Sequence, residues 1–137
     1  MASDKVEFEL VSPERLLLSE RFDMVVVPGA EGDFGVLPRH APLISTLRPG
    51  VIRVFEGRTV KDRIFVAGGF AEVTQERCTV LAEEAVPVAD IDLAALEQEL
   101  KDLGEDLADA KTESERAAIA KRIAVRRAMR AAAAQGA

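Results

Sequence analysis

Apolar and polar positions alternate along the first two thirds of the chain and then change period. KVEFELV places Val6, Phe8 and Leu10 on one side and Glu7 and Glu9 on the other, the period of two expected of a half-buried strand. RLLLSE follows Pro13, DMVVVPG ends at a Pro-Gly turn, and LISTL, GVIRVFEG, TVKDRIFVAGG, FAEVTQ and RCTVLAEEA continue the series. About eight short strands spaced by Gly, Pro and charged turns predict an antiparallel sandwich or barrel over residues 1–87. Within it, RIFVAGGFAEVTQERCTVLAEEA reads as three strands joined at Gly68-Gly69 and at Gln75-Glu76. A diglycine at such a junction admits positive φ or a close backbone approach.

After Pro87 the strand formers give way to Ala, Leu, Glu and Arg with a helical period, which predicts a second domain over residues 88–137. Asp90 is the expected N-cap, with Asp92 in the first turn. Leu96, Leu100, Leu103 and Leu107 form one stripe, and Gly104 weakens this helix by ~1 kcal/mol relative to alanine. Thr112 or Ser114 would cap a second helix. That helix carries Ala117, Ala120, Ala124, Ala128 and Ala131 on one side, with Ile119, Ile123 and Met129 near it. Leucines facing alanines would allow close antiparallel packing, an αα-hairpin.

Charge separates the two helices. Residues 92–109 carry seven acids and one base, and residues 113–134 carry two acids and six bases. Folded together they are complementary, although each exposed pair adds only about 0.2–1 kcal/mol. The leucine stripe buries little area, so the hairpin is expected to be the less stable half. The basic helix lacks the aromatic or large apolar face that membrane insertion needs.

Composition narrows the function. A sequence of 137 residues, 48% of them hydrophobic, suffices to build a core, and with six Phe and no Trp or Tyr that core must be aliphatic. A formal charge of −6 disfavours a nucleic-acid footprint. The single cysteine, Cys78, excludes an internal disulfide and fits a reducing compartment; in its strand context it reads as a buried small hydrophobe. No apolar run approaches the ~20 residues needed to cross a bilayer. MASDKVEFEL has no signal-peptide core, so a cytosolic protein that docks without inserting in the membrane is expected.

The segment with the densest candidate chemistry is EGDFGVLPRHAPL, Glu31 to Leu43, which holds the only histidine. Built around His40 with Glu31 and Asp33 as partners, it could serve acid–base catalysis. No GxSxG elbow, zinc-binding spacing or phosphate-loop fingerprint accompanies it. The stiffness given by Pro38 and Pro42 suits a presentation loop better, with Glu31 and Asp33 projecting at a Gly-rich turn and Phe34 anchored or offered to a partner. A small β-barrel hydrolase or a ligand-binding sandwich using His40 remains the alternative.

EGDFGVLPRHAPLIS, then LRPGVIRV, then FVAGGFAEVTQERCTVLAEEA and a charged helical hairpin, in that order, resemble the epsilon subunit of the bacterial proton-translocating ATP synthase. The likeness covers Phe8 to Met129, with CTVLA where the family pattern has VTVLA. It implies a flattened ten-stranded sandwich followed by a two-helix domain, and a non-catalytic central-stalk subunit. Its partners would be the gamma subunit and the c-ring, at the cytoplasmic face of the inner membrane. By the same resemblance Asp33 matches an acidic position facing the polar loops of the ring, and His40 matches the histidine of an HAP motif near the rotor interface. Glu31, Phe34, Pro38 and Pro42 complete that expected interface.

In many members the last helix presses basic residues against the alpha and beta subunits and blocks hydrolysis; Arg122, Arg126, Arg127 and Arg130 would do so here. Other members hold ATP with an Ile/Leu-Asp-x-x-Arg-Ala motif. This sequence keeps Ile91 and Asp92 but has Ala95 in place of the Arg and Leu96 in place of the Ala, which removes the cation expected to meet the nucleotide. At most a weak nucleotide site at Ile91 and Asp92 is expected, and no bound cofactor or metal.

Overall fold

The computed structural model describes residues 4–135 and divides at Pro87/Val88 into two compact units. The first contains eight strands: β1 (Val6–Val11), β2 (Leu16–Phe22), β3 (Met24–Gly29), β4 (Gly32–Val36), β5 (Leu43–Thr46), β6 (Gly50–Glu56), β7 (Thr59–Val73) and β8 (Arg77–Pro87). They form one ladder in the order β2-β1-β8-β7-β6-β3-β4, with β5 added to β7.

The ladder becomes a sandwich because its two longest strands serve both layers. β6 pairs with Thr59–Val66 of β7, whereas β5 pairs with Phe70–Val73. β8 follows β7 through both arms, and β1 joins β8 only at Arg77–Leu81. The first layer is thus β2-β1-β8-β7-β5 and the second is β8-β7-β6-β3-β4, with β1 packed over β3 and β2 over β6. Between them lie Phe8, Leu10, Phe22, Val25, Val27, Ile52, Val54, Val66, Val73 and Val80, all at most 1% exposed. The cluster between the layers is aliphatic apart from the edge-to-face pair Phe8–Phe22, whose centroids are 6.2 Å apart, and the partly buried Phe34 packed against it. Phe65, also fully buried, lies outside that cluster.

Three expectations change here. The ten strands become eight, because β7 and β8 each run unbroken across the corner; counting their arms separately recovers ten segments. Gly68-Gly69 is accordingly a bend inside one strand and not a turn between two. Both residues have positive φ, +72° and +97°, and a Cβ on Gly69 would lie 1.8 Å from the carbonyl oxygen of Leu81, so the two backbones can approach only where a side chain is missing. The sheet is also not wholly antiparallel, since β1 and β8 run parallel. Their connection spans most of the unit, so no tight turn imposes the opposite sense.

Lys5 reaches Asp23 and Glu56, and Lys61 reaches Glu56 and Glu20, at 3.6–4.0 Å. These exposed pairs link β2 to β6 and β7 on a side where no backbone ladder joins them.

The second unit has a short 3-10 turn at Val88–Asp90 and two helices, α1 (Leu93–Asp109) and α2 (Glu113–Gln135). Asp92 rather than Asp90 is the N-cap, accepting the Ala95 N–H at 3.1 Å; Asp90 belongs to the preceding turn. Thr112 caps α2, its hydroxyl accepting the Glu115 N–H at 3.0 Å and donating to the Glu115 carboxylate at 3.2 Å. Leu96 and Leu103 are buried, with Leu100 and Leu107 half-buried. The expected alanine face fails. Ala117, Ala120, Ala124 and Ala131 are exposed, and α2 turns Ile123 inward, because isoleucine removes far more apolar area from water than alanine.

Gly69→Ala is expected to cost roughly 3 kcal/mol or more and Gly57→Ala only ~1 kcal/mol. Gly57 shares the positive φ but has nothing within 4 Å of its would-be Cβ. Urea unfolding separates the two, and equal losses would contradict the close-approach account.

Burial pushes the Cys78 thiol up to about 12 from its ordinary 9.0. Between those values the folded protein keeps a proton that the unfolded polypeptide releases, so stability is lost as pH rises through that interval. Cys78→Ala should flatten the decline of unfolding free energy between pH 9.0 and about 12, and an unaltered slope would deny the contribution of this thiol.

Candidate functional site

The segment from Glu31 to Pro42 does not form one loop. Ala30-Glu31 is the turn of a hairpin, and Gly32–Val36 is strand β4, paired with β3 from Gly29↔Gly32 to Val25↔Val36. Asp33 and Phe34 therefore lie in an edge strand. The linker that carries Pro38, His40 and Pro42 begins at the other end of that strand, roughly 15 Å away at ~3.4 Å per residue. A short strand of alternating polar and glycine residues can be mistaken for a loop, and only pairing with β3 reveals it.

At the tip, Glu31 is exposed and makes no polar side-chain contact among the described residues. Asp33 is held by two arginines: Arg48 donates to one carboxylate oxygen, and Arg53 lies 3.6 Å from the other. Phe34 is half-buried and packs against the core, with its ring edge over the space a Gly29 side chain would fill. It is an anchor. Neither Arg48 nor Arg53 stood out in the sequence, because each meets Asp33 only after β3, β4 and β6 have paired.

In the linker, His40 Nδ1 donates to the Ala41 carbonyl at 2.6 Å, and its backbone N–H donates to Leu37. No carboxylate meets the ring among the described residues, so the acid–base partnership with Glu31 and Asp33 does not form. Arg39 adopts φ +65°, donates its N–H to the Gln75 carbonyl at 3.0 Å, and pairs with Asp4 at 3.2 Å. These contacts fasten the linker to the β7–β8 turn through Gln75 and to the segment before β1 through Asp4. A surface hollow of about 400 Å³ beside it is lined by Lys5, Glu7, Arg21, Pro38, Arg39, Gln75 and Glu76. Its walls are charged and open to water, unlike the apolar pockets that hold small molecules. Among the described residues no group of three or more His, Cys, Asp or Glu could hold a metal ion.

The basic helix is engaged by the acidic one. Glu99 accepts from Arg126 Nε at 2.9 Å and from Arg122 at 3.4 Å, and Glu97 accepts from Arg130 at 3.1 Å. Arg127 is exposed and has no such pair among the described residues. Ile91 donates its N–H to Val88, and the Asp92 carboxylate is occupied as the α1 cap. No helix among the described residues is long and apolar enough to cross a membrane.

Two family models cover both units: the beta-sandwich domain of the ATP synthase delta/epsilon chain matches residues 5–88, and the C-terminal domain of the ATP synthase epsilon chain matches residues 92–137. The protein belongs to the ATP synthase epsilon chain family. The epsilon chain of Rhodospirillum rubrum is 55% identical over 130 residues, covering 95% of this sequence and 97% of that relative. The epsilon chain of Rhodospirillum centenum is 59% identical over 126 residues, covering 88% and 86%.

Solved structures share the fold of this epsilon-family protein. A chain of the Euglena gracilis mitochondrial ATP synthase aligns with a TM-score of 0.81 at 24% identity, covering 95% of this sequence and 82% of that one. A chain of the Tetrahymena thermophila mitochondrial ATP synthase central stalk and c-ring aligns at 0.71 and 16%, covering 97% and 99%. The epsilon-family architecture of sandwich plus helical hairpin is therefore the one predicted from the sequence.

Glu99→Gln removes the anion between Arg122 and Arg126, and the Arg126 side chain is only 12% exposed. Its loss should weaken α1–α2 packing by about 1–2 kcal/mol. Glu97→Gln, on the water-exposed Arg130 pair, should cost no more than about 0.5 kcal/mol. Amide exchange along both helices measures the difference, and the reverse ranking would refute it.

Proposed function

We propose that this protein is a non-catalytic central-stalk subunit of a bacterial ATP synthase. It would couple the gamma subunit to the c-ring at the cytoplasmic face of the inner membrane. The observation that carries this reading is 55% identity to an epsilon chain over 95% of the sequence, spanning both units. The sandwich suits such a coupler. Its core is filled with side chains, its corner is a continuous pair of strands, and its exposed chemistry lies in turns and edges. The alternative of a hydrolase or ligand-binding sandwich built on His40 finds no support, since the ring meets only its neighbour's carbonyl.

Three surfaces are proposed for the two partners. The β3–β4 tip, with Glu31, Asp33 and the anchored Phe34, is the proposed contact for the ring. Pro38, His40 and Pro42 shape the separate linker and are proposed to contact gamma. On the outer face of the first layer, the registers place Leu16, Val11, Leu81, Phe70 and Thr46 in one row across five strands. Leu16 is 55% exposed and Phe70 40%. Such an apolar row with charged surroundings suits a helix of gamma, with the rim charges setting orientation more than affinity.

The hairpin is proposed to regulate. Arg122, Arg126, Arg127 and Arg130 are the residues that would brake hydrolysis by meeting acidic segments of the alpha and beta subunits. Three of the four must first leave Glu97 or Glu99. We do not assign ATP to Ile91 and Asp92, because the Asp92 carboxylate already caps α1 and Ala95 supplies no cation.

The test is reconstitution of the complex with the full-length protein and with residues 90–137 removed. The sandwich alone should still bind gamma with Kd at or below about 1 μM, about −8 kcal/mol, and hydrolysis should rise on truncation. Absence of gamma binding by the full-length protein would end the stalk reading. Unchanged hydrolysis would end the proposed brake alone.

A further inference from the structure

Of the two arginines that meet the β3–β4 tip from outside the hairpin, Arg48 alone grips both of its legs. Arg48 lies in the link between β5 and β6, and its backbone N–H donates to the Pro28 carbonyl at 3.0 Å. Its guanidinium donates through Nη1 to the Gly29 carbonyl at 2.7 Å and through Nη2 to the Asp33 carboxylate. Gly29 ends β3, and Asp33 lies in β4 opposite Pro28. One planar fork thus spans both legs of the hairpin just behind the Ala30-Glu31 turn, a task that needs two donors in fixed relation.

The link that carries Arg48 is itself fixed. Leu47 donates its N–H to the Gly69 carbonyl at 3.1 Å, Ala30 donates to Thr46 at 2.9 Å, and Leu47 bridges Gly29. A continuous run of contacts therefore joins the tip to the bend of β7. Arg53 cannot substitute, because it approaches only Asp33, at 3.6 Å. Without the Arg48 guanidinium the tip would keep its ladder, the backbone bonds of residues 46–48 and the single approach of Arg53. It would lose the one group that ties β3 to β4 from outside, and short edge hairpins open locally.

We infer that Arg48 is the positioning residue of the docking tip, setting its place and stiffness through Gly29 and Asp33; this rests on the reading of the tip as the ring contact. Two charge states of the same position separate positioning from a direct rim contact. Arg48→Met removes the fork and the charge, and Arg48→Lys keeps the charge but cannot span both acceptors.

In the full-length protein, both variants should speed amide exchange at residues 30–34 about tenfold and weaken binding to the detergent-solubilised c-ring by a similar factor. Gamma binding and the unfolding temperature should change little. Unchanged tip exchange in Arg48→Met, or exchange and ring binding in Arg48→Lys equal to those of the parent, would overturn the inference. Faster exchange in both variants with unchanged ring binding would support the hold of Arg48 on the tip and refute the docking role of the tip instead.

Discussion

Two long strands can belong to two layers only if their backbones turn the corner together, and at Gly69 they do so by near-contact. The carbonyl of Leu81 occupies the space where a side chain would stand. With that approach, β7 carries β6 on one arm and β5 on the other, and β8 carries β1 on its first arm. The closed core between the layers follows from this pairing. So does the position of the Leu47 link, whose N–H is tied to Gly69 itself.

The charged features are placed by that frame and act locally. Asp33 is neutralised by Arg48 and Arg53, leaving Glu31 as the open carboxylate at the tip. The lysines at positions 5 and 61 knit β2 to β6 and β7 where no ladder does. In the helical unit the same physics works on a more exposed element. Glu97 and Glu99 neutralise three arginines, and the apolar seam of leucines with Ile123 is narrow. Exposed ion pairs are weak and screened by salt, so this unit is held less firmly than the sandwich.

The linker from Leu37 to Pro42 illustrates how residues that look catalytic can be architectural. Arg39 is held in a left-handed conformation by its bond to Gln75, and His40 folds its ring onto the adjacent carbonyl. A general base needs an acid or substrate within hydrogen-bond reach. The intervening strand β4 keeps Glu31 and Asp33 at the far end. Cys78, read from its strand context as a buried small hydrophobe, lies in the core and keeps its proton well above neutral pH.

Much of this was legible in the sequence because it depends on local period and local chemistry. Alternation marked most of the strands, the change of period after Pro87 marked the helices, and the ordered motifs marked the family. Thr112 was readable as a cap because a cap acts within one turn of helix. What the sequence left open required partners far along the polypeptide. The parallel run of β1 beside β8, the identity of Gly68-Gly69 as a bend and the strand character of Gly32–Val36 all depend on which segment lies alongside. The bonds of Arg48 and Arg53 to Asp33 depend on it too. The facing of α2 was decided by competition for burial, in which Ile123 outweighs the alanines. Sequence period fixes which side chains share a face, but only packing decides what that face meets.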